Sequence, residues 1–367
     1  MYSVKSKIND VFMINARLKI TLGSLPLKNP LICGSGEHLI EEAGIIMALK
    51  SGAAAVVAKS TNESKLARQQ LDKTDYSMVG QNLTQLDWQK DKGLSTSLFG
   101  RSGLISIGSE EWLRTIARLD KQAAEYKSYV VASLIPASTS SLIEYAELAQ
   151  KLGIRVLEIN IGAPHGIEAG KDIRLTFDPI KASEIIREVR KVFQGHLWAK
   201  TSGMSENVSQ LAFSAKEAGA DAVVMMGRVM ALIPDLNSMQ PILGTKGAYG
   251  GRWALPITCR WLSESRQLLE SNYPLIGTNG ARDGYDIARM MLAGATAVEQ
   301  TSAIFTGGFE VIEENINQLN GYLKEKNMNA SDLIGVTSDQ VESYAQQELR
   351  PDYWRQFVSD DALNKKL

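Results

Sequence analysis

A (β/α)8 barrel is the fold that this sequence predicts. Three observations carry the prediction. Eight short apolar runs of strand length are spread along the chain. Segments of helical period lie between most of them. The same helix–glycine–strand hinge recurs in "KSGAAAVV", "EAGADAVV" and "LAGATAVE". An open doubly wound sheet is the competitor, but eight units and no early GxGxxG favour the barrel. The 367 residues hold one barrel of about 250 residues plus extensions.

The strands come in order as "NPLIC" (29–33), "AAAVVAK" (53–59), "YVVASLI" (129–135), "RVLEIN" (155–160), "HLWAK" (196–200), "DAVVMM" (221–226), "PLIGT" (274–278) and "TAVEQ" (296–300). Each suits a strand buried on both faces. The helices between them include "EEAGIIMALKSG", "EEWLRTIARLDKQAAEYK", "SLIEYAELAQKLG", "DPIKASEIIREVRKVF", "ENVSQLAFSAKEAG", "RDGYDIARMMLAG" and "FEVIEENINQLNGYLKEK". Two insertions, 60–106 after strand 2 and 227–250 after strand 6, sit where barrels place active sites and read as lids. The division expected is one barrel over 1–326, with a short N-terminal extension, and a tail over 327–367 that packs on the barrel or on a partner.

Composition narrows the function. A hydrophobic share of 44% with 22% charged residues is ordinary for a soluble globular chain. The net charge of −1, with basic and acidic residues interleaved, argues against nucleic acid as a ligand. The two cysteines, Cys33 and Cys259, are far apart, so no cysteine-built zinc or iron–sulfur site is expected and no metal is assigned. The first residues lack a signal-peptide core, and no run approaches the roughly 20 apolar residues of a membrane span. A cytoplasmic protein is expected.

Each strand offers chemistry at its C-terminal end. Strand 1 presents Gly34-Ser35-Gly36, strand 2 Lys59-Ser60 and strand 4 Asn160 with the turn Ala163-Pro164-His165. Strand 5 presents Lys200-Thr201 and strand 6 Gly227-Arg228. The second insertion ends in "GAYGGRW", Gly247 to Trp253. Strand 7 leads into "GTNGARDG" and strand 8 into Gln300-Thr301-Ser302. Turns of small residues at those last two positions suit a phosphate, although plain turn chemistry would look the same. Lysines ending apolar strands must meet an anion or an electron-rich acceptor, or else a structural carboxylate. A Schiff-base role is the sharper alternative for Lys200.

Six motifs in this order resemble the FMN-containing barrel shared by dihydroorotate dehydrogenases and the pyrimidine-reducing domain of dihydropyrimidine dehydrogenase. They are "NPLICGSG", "AAAVVAKSTN", "LEINIGAPHG", "WAKTSG", "GAYGGRWALPI" and "LIGTNGARDGYDIARMMLAGATAVEQTSA", spanning about Leu22 to Leu323. The resemblance implies an FMN-dependent oxidoreductase acting on CH–CH groups. Gly34 and Ser35 would run along the flavin edge, with Lys59 and Ser60 by flavin and substrate. Asn160 would hydrogen-bond either one. Lys200 would face the flavin N1 side. Gly250, Gly251, Gly277, Thr278, Asn279, Gly280, Gln300, Thr301 and Ser302 would hold ribityl and phosphate.

Two departures bear on the substrate. Where these dehydrogenases carry the Cys or Ser that exchanges a proton with the substrate, this chain has Ala163. Where they present Asn-Ser or Asn-Thr to a pyrimidine, it has Gly227-Arg228. The expected substrate is therefore small, anionic and not a standard pyrimidine. His165 is the nearest replacement acid or base, Tyr249 is another, and Arg228 would anchor the anion. Glu168 and Asp172 are weaker proton candidates. The alternatives are a dihydroorotate or dihydropyrimidine dehydrogenase with a displaced acid/base, a Schiff-base aldolase using Lys200, and a non-catalytic FMN electron relay. A homodimer and a separate electron-transfer partner are expected.

Overall fold

The computed structural model describes residues 15–88, 90–91, 96–162 and 178–363. Eight parallel strands close into a barrel: β1 (Leu31–Cys33), β2 (Ala55–Val57), β3 (Tyr129–Leu134), β4 (Val156–Asn160), β5 (His196–Lys200), β6 (Ala222–Met225), β7 (Leu275–Thr278) and β8 (Ala297–Gln300). Neighbours in sequence are neighbours in the sheet, and β8 pairs with β1 to close it. All eight apolar runs thus became barrel strands. β4 and β5 are buried up to their last residues, Asn160 and Lys200, which lie side by side in register at the mouth.

The helices follow the sequence reading, and among the described residues Lys65–Gln69, Leu255–Leu268 and Ser302–Gly307 are added. Ser138, Asp178, Asn207 and Asp283 cap four of them through side-chain oxygens that accept backbone N–H groups. The three recurring hinges place Gly52, Gly219 and Gly294 at φ +103°, +100° and +121°, where a side chain would strain the turn. The longest of these, Leu255–Leu268, follows the second insertion and carries Pro in its first turn, a position where the missing N–H costs nothing.

Below the barrel, the hairpin Ile20–Leu22 and Leu25–Leu27 plugs the N-terminal end with Leu22, Leu25 and Leu27 buried. Its Gly23 turn approaches His196, Asp221 and Pro274, at the starts of β5, β6 and β7. Above the barrel, the two insertions form one structure. Val229–Ala231, Gly247–Gly251, Ser97–Arg101, Asp75–Val79 and Gln85–Leu86 pair in that order as a five-stranded antiparallel sheet. A small cluster of Val79, Phe99, Ile233 and Ile242 holds it together.

After the last helix, residues 330–337 pack on the helix Gly284–Leu292, with Ala330 and Leu333 buried and the Gly335 and Thr337 N–H groups bonded to Met291 and Leu292. Residues 338–340 pack on Leu255–Leu268, with Arg266 paired to Asp339. The following stretch, 341–362, is exposed throughout, including Tyr344, Leu349, Trp354 and Phe357. No helix among the described residues is long and apolar enough to cross a membrane.

Candidate active site

The pocket lies between the C-terminal ends of the barrel strands and the overlying sheet. Its floor is an ion cluster. Lys200 Nζ bonds the Glu299 carboxylate and lies 3.8 Å from Glu158 Oε2. Both carboxylates are fully buried, and each keeps one oxygen without a hydrogen-bond partner. Ser133 donates to Glu158 at 2.8 Å, and Ser60 and Ser35 continue the hydroxyl chain toward the mouth at 2.9 and 3.4 Å. Burial works against the Lys200 ammonium, but Glu158 and Glu299 outweigh it and hold its pKa above the ordinary lysine value. A lysine so held is a poor Schiff-base nucleophile, which removes the aldolase reading.

Burial, opposed by Lys200 and supported by Glu299, raises the Glu158 pKa to about 7. An unfolded glutamate titrates near 4.3. Between those values the native state holds the extra proton, so stability falls as pH rises, and the whole cost is present above about pH 7. Glu158→Gln should therefore gain on the wild type by about 3 kcal/mol between pH 4.5 and 8. Urea midpoints at the two pH values check this; parallel curves would refute it.

The opposite wall is a second polar chain. Lys59 Nζ pairs with Glu37 Oε1 at 2.9 Å, and Gly103 N–H donates to the same oxygen at 3.1 Å. The Tyr76 hydroxyl donates to Glu37 Oε2. Ser102 bonds Tyr76 and accepts from Arg228 at 2.9 Å. Burial alone would raise the Glu37 pKa, but Lys59, Tyr76 and Gly103 reverse that and hold it below the usual carboxylate range. Trp112 fixes this wall from behind, its indole donating to the Lys59 carbonyl at 2.7 Å.

Most of the residues singled out in the sequence meet in this pocket. Lys59, Ser60 and Ser35 line one side, Asn160 and Lys200 the floor, and Arg228, Tyr249 and Gly250 the overlying sheet. Thr278, Asn279 and Gly280 line it after β7, and Gln300, Thr301 and Ser302 after β8. Gly34 sits directly behind them: a side chain there would run into Thr301 and Glu299. Tyr249 stacks on Trp253, ring centroids 5.1 Å apart.

Gly277 and Gly251 are not among the residues that line the pocket. A Cβ at Gly277 would meet Met290 Sδ at 2.8 Å, so this glycine makes room for the helix on that side. Gly251 is closed off by Ser97 of the paired strand. The helix start after β7 has its donors taken: Gly284 N–H bonds Gln318 and Asp286 N–H bonds Asp283. Any phosphate contact there falls to the preceding turn, with Asn279 at φ +68° and Gly280 at φ +124°. Gly227 lines the pocket beside Arg228, and a Cβ there would lie 2.6 Å from the Thr201 carbonyl, so the turn after β6 takes no side chain at this position. Ala163, His165, Glu168 and Asp172 lie outside the described residues. Glu37, Tyr76, Glu158 and Glu299 were missed. An acid inside an apolar strand, as in "VLEIN" and "AVEQ", was a readable signal for the last two.

The family model for dihydroorotate dehydrogenase matches residues 91–323. The chain belongs to the dihydroorotate dehydrogenase family. As a member of it, the protein is a flavin-dependent oxidoreductase acting on CH–CH groups. Among curated relatives, the catalytic subunit of dihydroorotate dehydrogenase B (NAD(+)) from Pyrococcus horikoshii is 28% identical over 328 residues, 88% of this chain and 99% of its own. The subunit of the same name from Methanocaldococcus jannaschii is 24% identical over 331 residues, 88% and 98%. A crystal structure of Eimeria tenella dihydroorotate dehydrogenase with ferulenol shares the fold, with TM-score 0.68 and 16% identity over 92% of this chain and 96% of that one.

Proposed function

We propose that the protein is an FMN-dependent dihydroorotate dehydrogenase that passes electrons to a separate NAD-linked subunit. The observation that carries the reading is the division of one pocket into two charged walls. Lys200, clamped between Glu158 and Glu299, forms the cofactor side. Lys59 and Arg228 form the substrate side. A dihydropyrimidine carboxylate suits the guanidinium of Arg228, which makes no ion pair among the described residues. FMN, when bound, would take hydride from the substrate. Asn160 would orient substrate or cofactor with its amide, and Thr301, Ser302 and the Asn279-Gly280 turn would hold the phosphate. The orphaned oxygens of Glu158 and Glu299 and the unpartnered Gln300 Nε2 fit a polar occupant on this floor. The relatives' printed names and near-complete overlap favour dihydroorotate over the non-pyrimidine substrate that the departures alone suggested.

Acid release and chromatography should recover stoichiometric FMN, and anaerobic mixing with dihydroorotate should bleach it. Recovery of FAD, or an inert flavin, counts against the proposal. The second outcome would favour another carboxylate-bearing substrate, in keeping with Ala163 and Gly227. Arg228→Ala should raise KM by roughly 10²-fold with little change in kcat, since a carboxylate anchor acts in ground and transition states alike. Steady-state kinetics separate the two.

A further inference from the structure

We propose that Tyr76, backed by Glu37, is the acid–base group of this site, taking over the proton transfer that Ala163 cannot perform. The inference rests on the dihydroorotate reading above. Three independent placements support it. Tyr76 and Glu37 both line the pocket, and the Tyr76 hydroxyl donates to the Glu37 carboxylate. Glu37 is itself held by Lys59 and the Gly103 N–H, so its second oxygen is fixed toward Tyr76. The ring is seated by design of the sheet. Tyr76 pairs directly with Gly100 on the neighbouring strand, and any side chain at 100 would run into the tyrosine ring. A glycine that makes room for one aromatic side chain fixes where its hydroxyl points. Phe305 packs against the ring's other side, centroids 4.8 Å apart.

The chemistry balances as a relay. The substrate C–H bond that ionises gives its proton to the Tyr76 oxygen. In the same step the tyrosine O–H bond breaks and its proton moves to Glu37. FMN, when bound, would accept the hydride from the adjacent carbon, so that the ring carbon–carbon bond becomes double. Glu37 afterwards loses the proton to water. No tyrosinate has to persist, which matters because burial and the Glu37 carboxylate both disfavour one. A substrate carboxylate that draws Lys59 toward itself weakens the hold on Glu37 and raises its proton affinity when the relay needs it.

The groups facing Glu37 are Lys59, Tyr76, the Gly103 N–H and its neighbour His38, with Arg228 acting on Lys59 and Tyr76. With Glu37 ionised below the usual carboxylate range, the rate of flavin reduction should show no acid limb between pH 5 and 7. A histidine base would show one near pH 6.5, its unperturbed pKa.

The test uses the holoenzyme and dihydroorotate under anaerobic rapid mixing. Tyr76→Phe and Glu37→Gln should each slow flavin reduction by roughly 10²–10⁴-fold while keeping flavin content and orotate affinity within a few-fold. Gly100→Ala, which keeps both reacting groups but displaces the ring, should fall in the same direction. Time-resolved infrared spectra during reduction of the wild-type flavin by dihydroorotate should show a transient carboxyl band that Glu37→Gln lacks. Tyr76→Phe at the wild-type rate overturns the relay. So does an acid limb near pH 6.5 together with loss of the reaction in His165→Ala alone. A wild-type flavin that dihydroorotate leaves oxidised overturns the substrate assignment first, and the relay with it.

Discussion

Lys200→Met should cost about 3–5 kcal/mol of folding free energy and strip the protein of its flavin. The reason is the company Lys200 keeps. Glu158 and Glu299 have fully buried side chains, and among the described residues Lys200 is the cation that pairs with them. Removing it leaves two carboxylates facing each other in a low-dielectric floor, and one must take up a proton for the fold to survive. Urea denaturation at pH 8 and flavin content after gel filtration measure the two effects. The triple variant with Glu158→Gln and Glu299→Gln separates them. It should regain most of the stability, since the repelling charges are gone, yet bind flavin poorly. A single variant as stable as the wild type at pH 8 would mean that the acids are already neutral there.

Asp286→Ala should come next, at about 2–4 kcal/mol, with weaker retention of the cofactor. Asp286 is fully buried. It accepts from Arg252 and Arg289, each at 2.9 Å, and from the Arg282 N–H at 3.1 Å. One carboxylate thus ties the end of the overlying sheet, through Arg252, to the turn after β7 and to the helix that follows. The arginines are partly exposed and water can compensate them, so the cost stays below that of Lys200. Thermal melts with and without added FMN would show both parts. An unchanged FMN shift would limit Asp286 to a structural role.

The barrel was legible because its signals are local. Eight apolar runs, the capping residues and the hinge glycines each depend on a few neighbours in sequence. The helix Leu255–Leu268 was not read because its start overlaps "GAYGGRWALPI", which looked like cofactor-binding loop. The strand-end residues of the site were legible for the same local reason, as with Lys59, Asn160 and Lys200. Tyr76 was not. It lies in an insertion whose register is set by pairing with a strand more than twenty residues away, and nothing near position 76 announces that Gly100 will lie opposite. Gly277 and Gly251 show the converse. The resemblance implied that both hold ribityl and phosphate, but neither lines the pocket, and each makes room for a neighbouring side chain that local sequence does not reveal.

The sheet over the mouth also sets the order in which the protein can become competent. Ser97–Arg101 comes from the first third of the chain, and its partner Gly247–Gly251 comes from beyond β6. Their pairing closes a loop of roughly 150 residues, an entropic cost that is met only once the intervening barrel units have brought the two ends close. During synthesis or refolding, helix content should therefore recover well before flavin fluorescence is quenched by binding. A ribosome-bound or proteolytic fragment ending before Gly247 would own β1 to β6 and the three strands from the first insertion, yet lack the strand that ties them to Val229–Ala231.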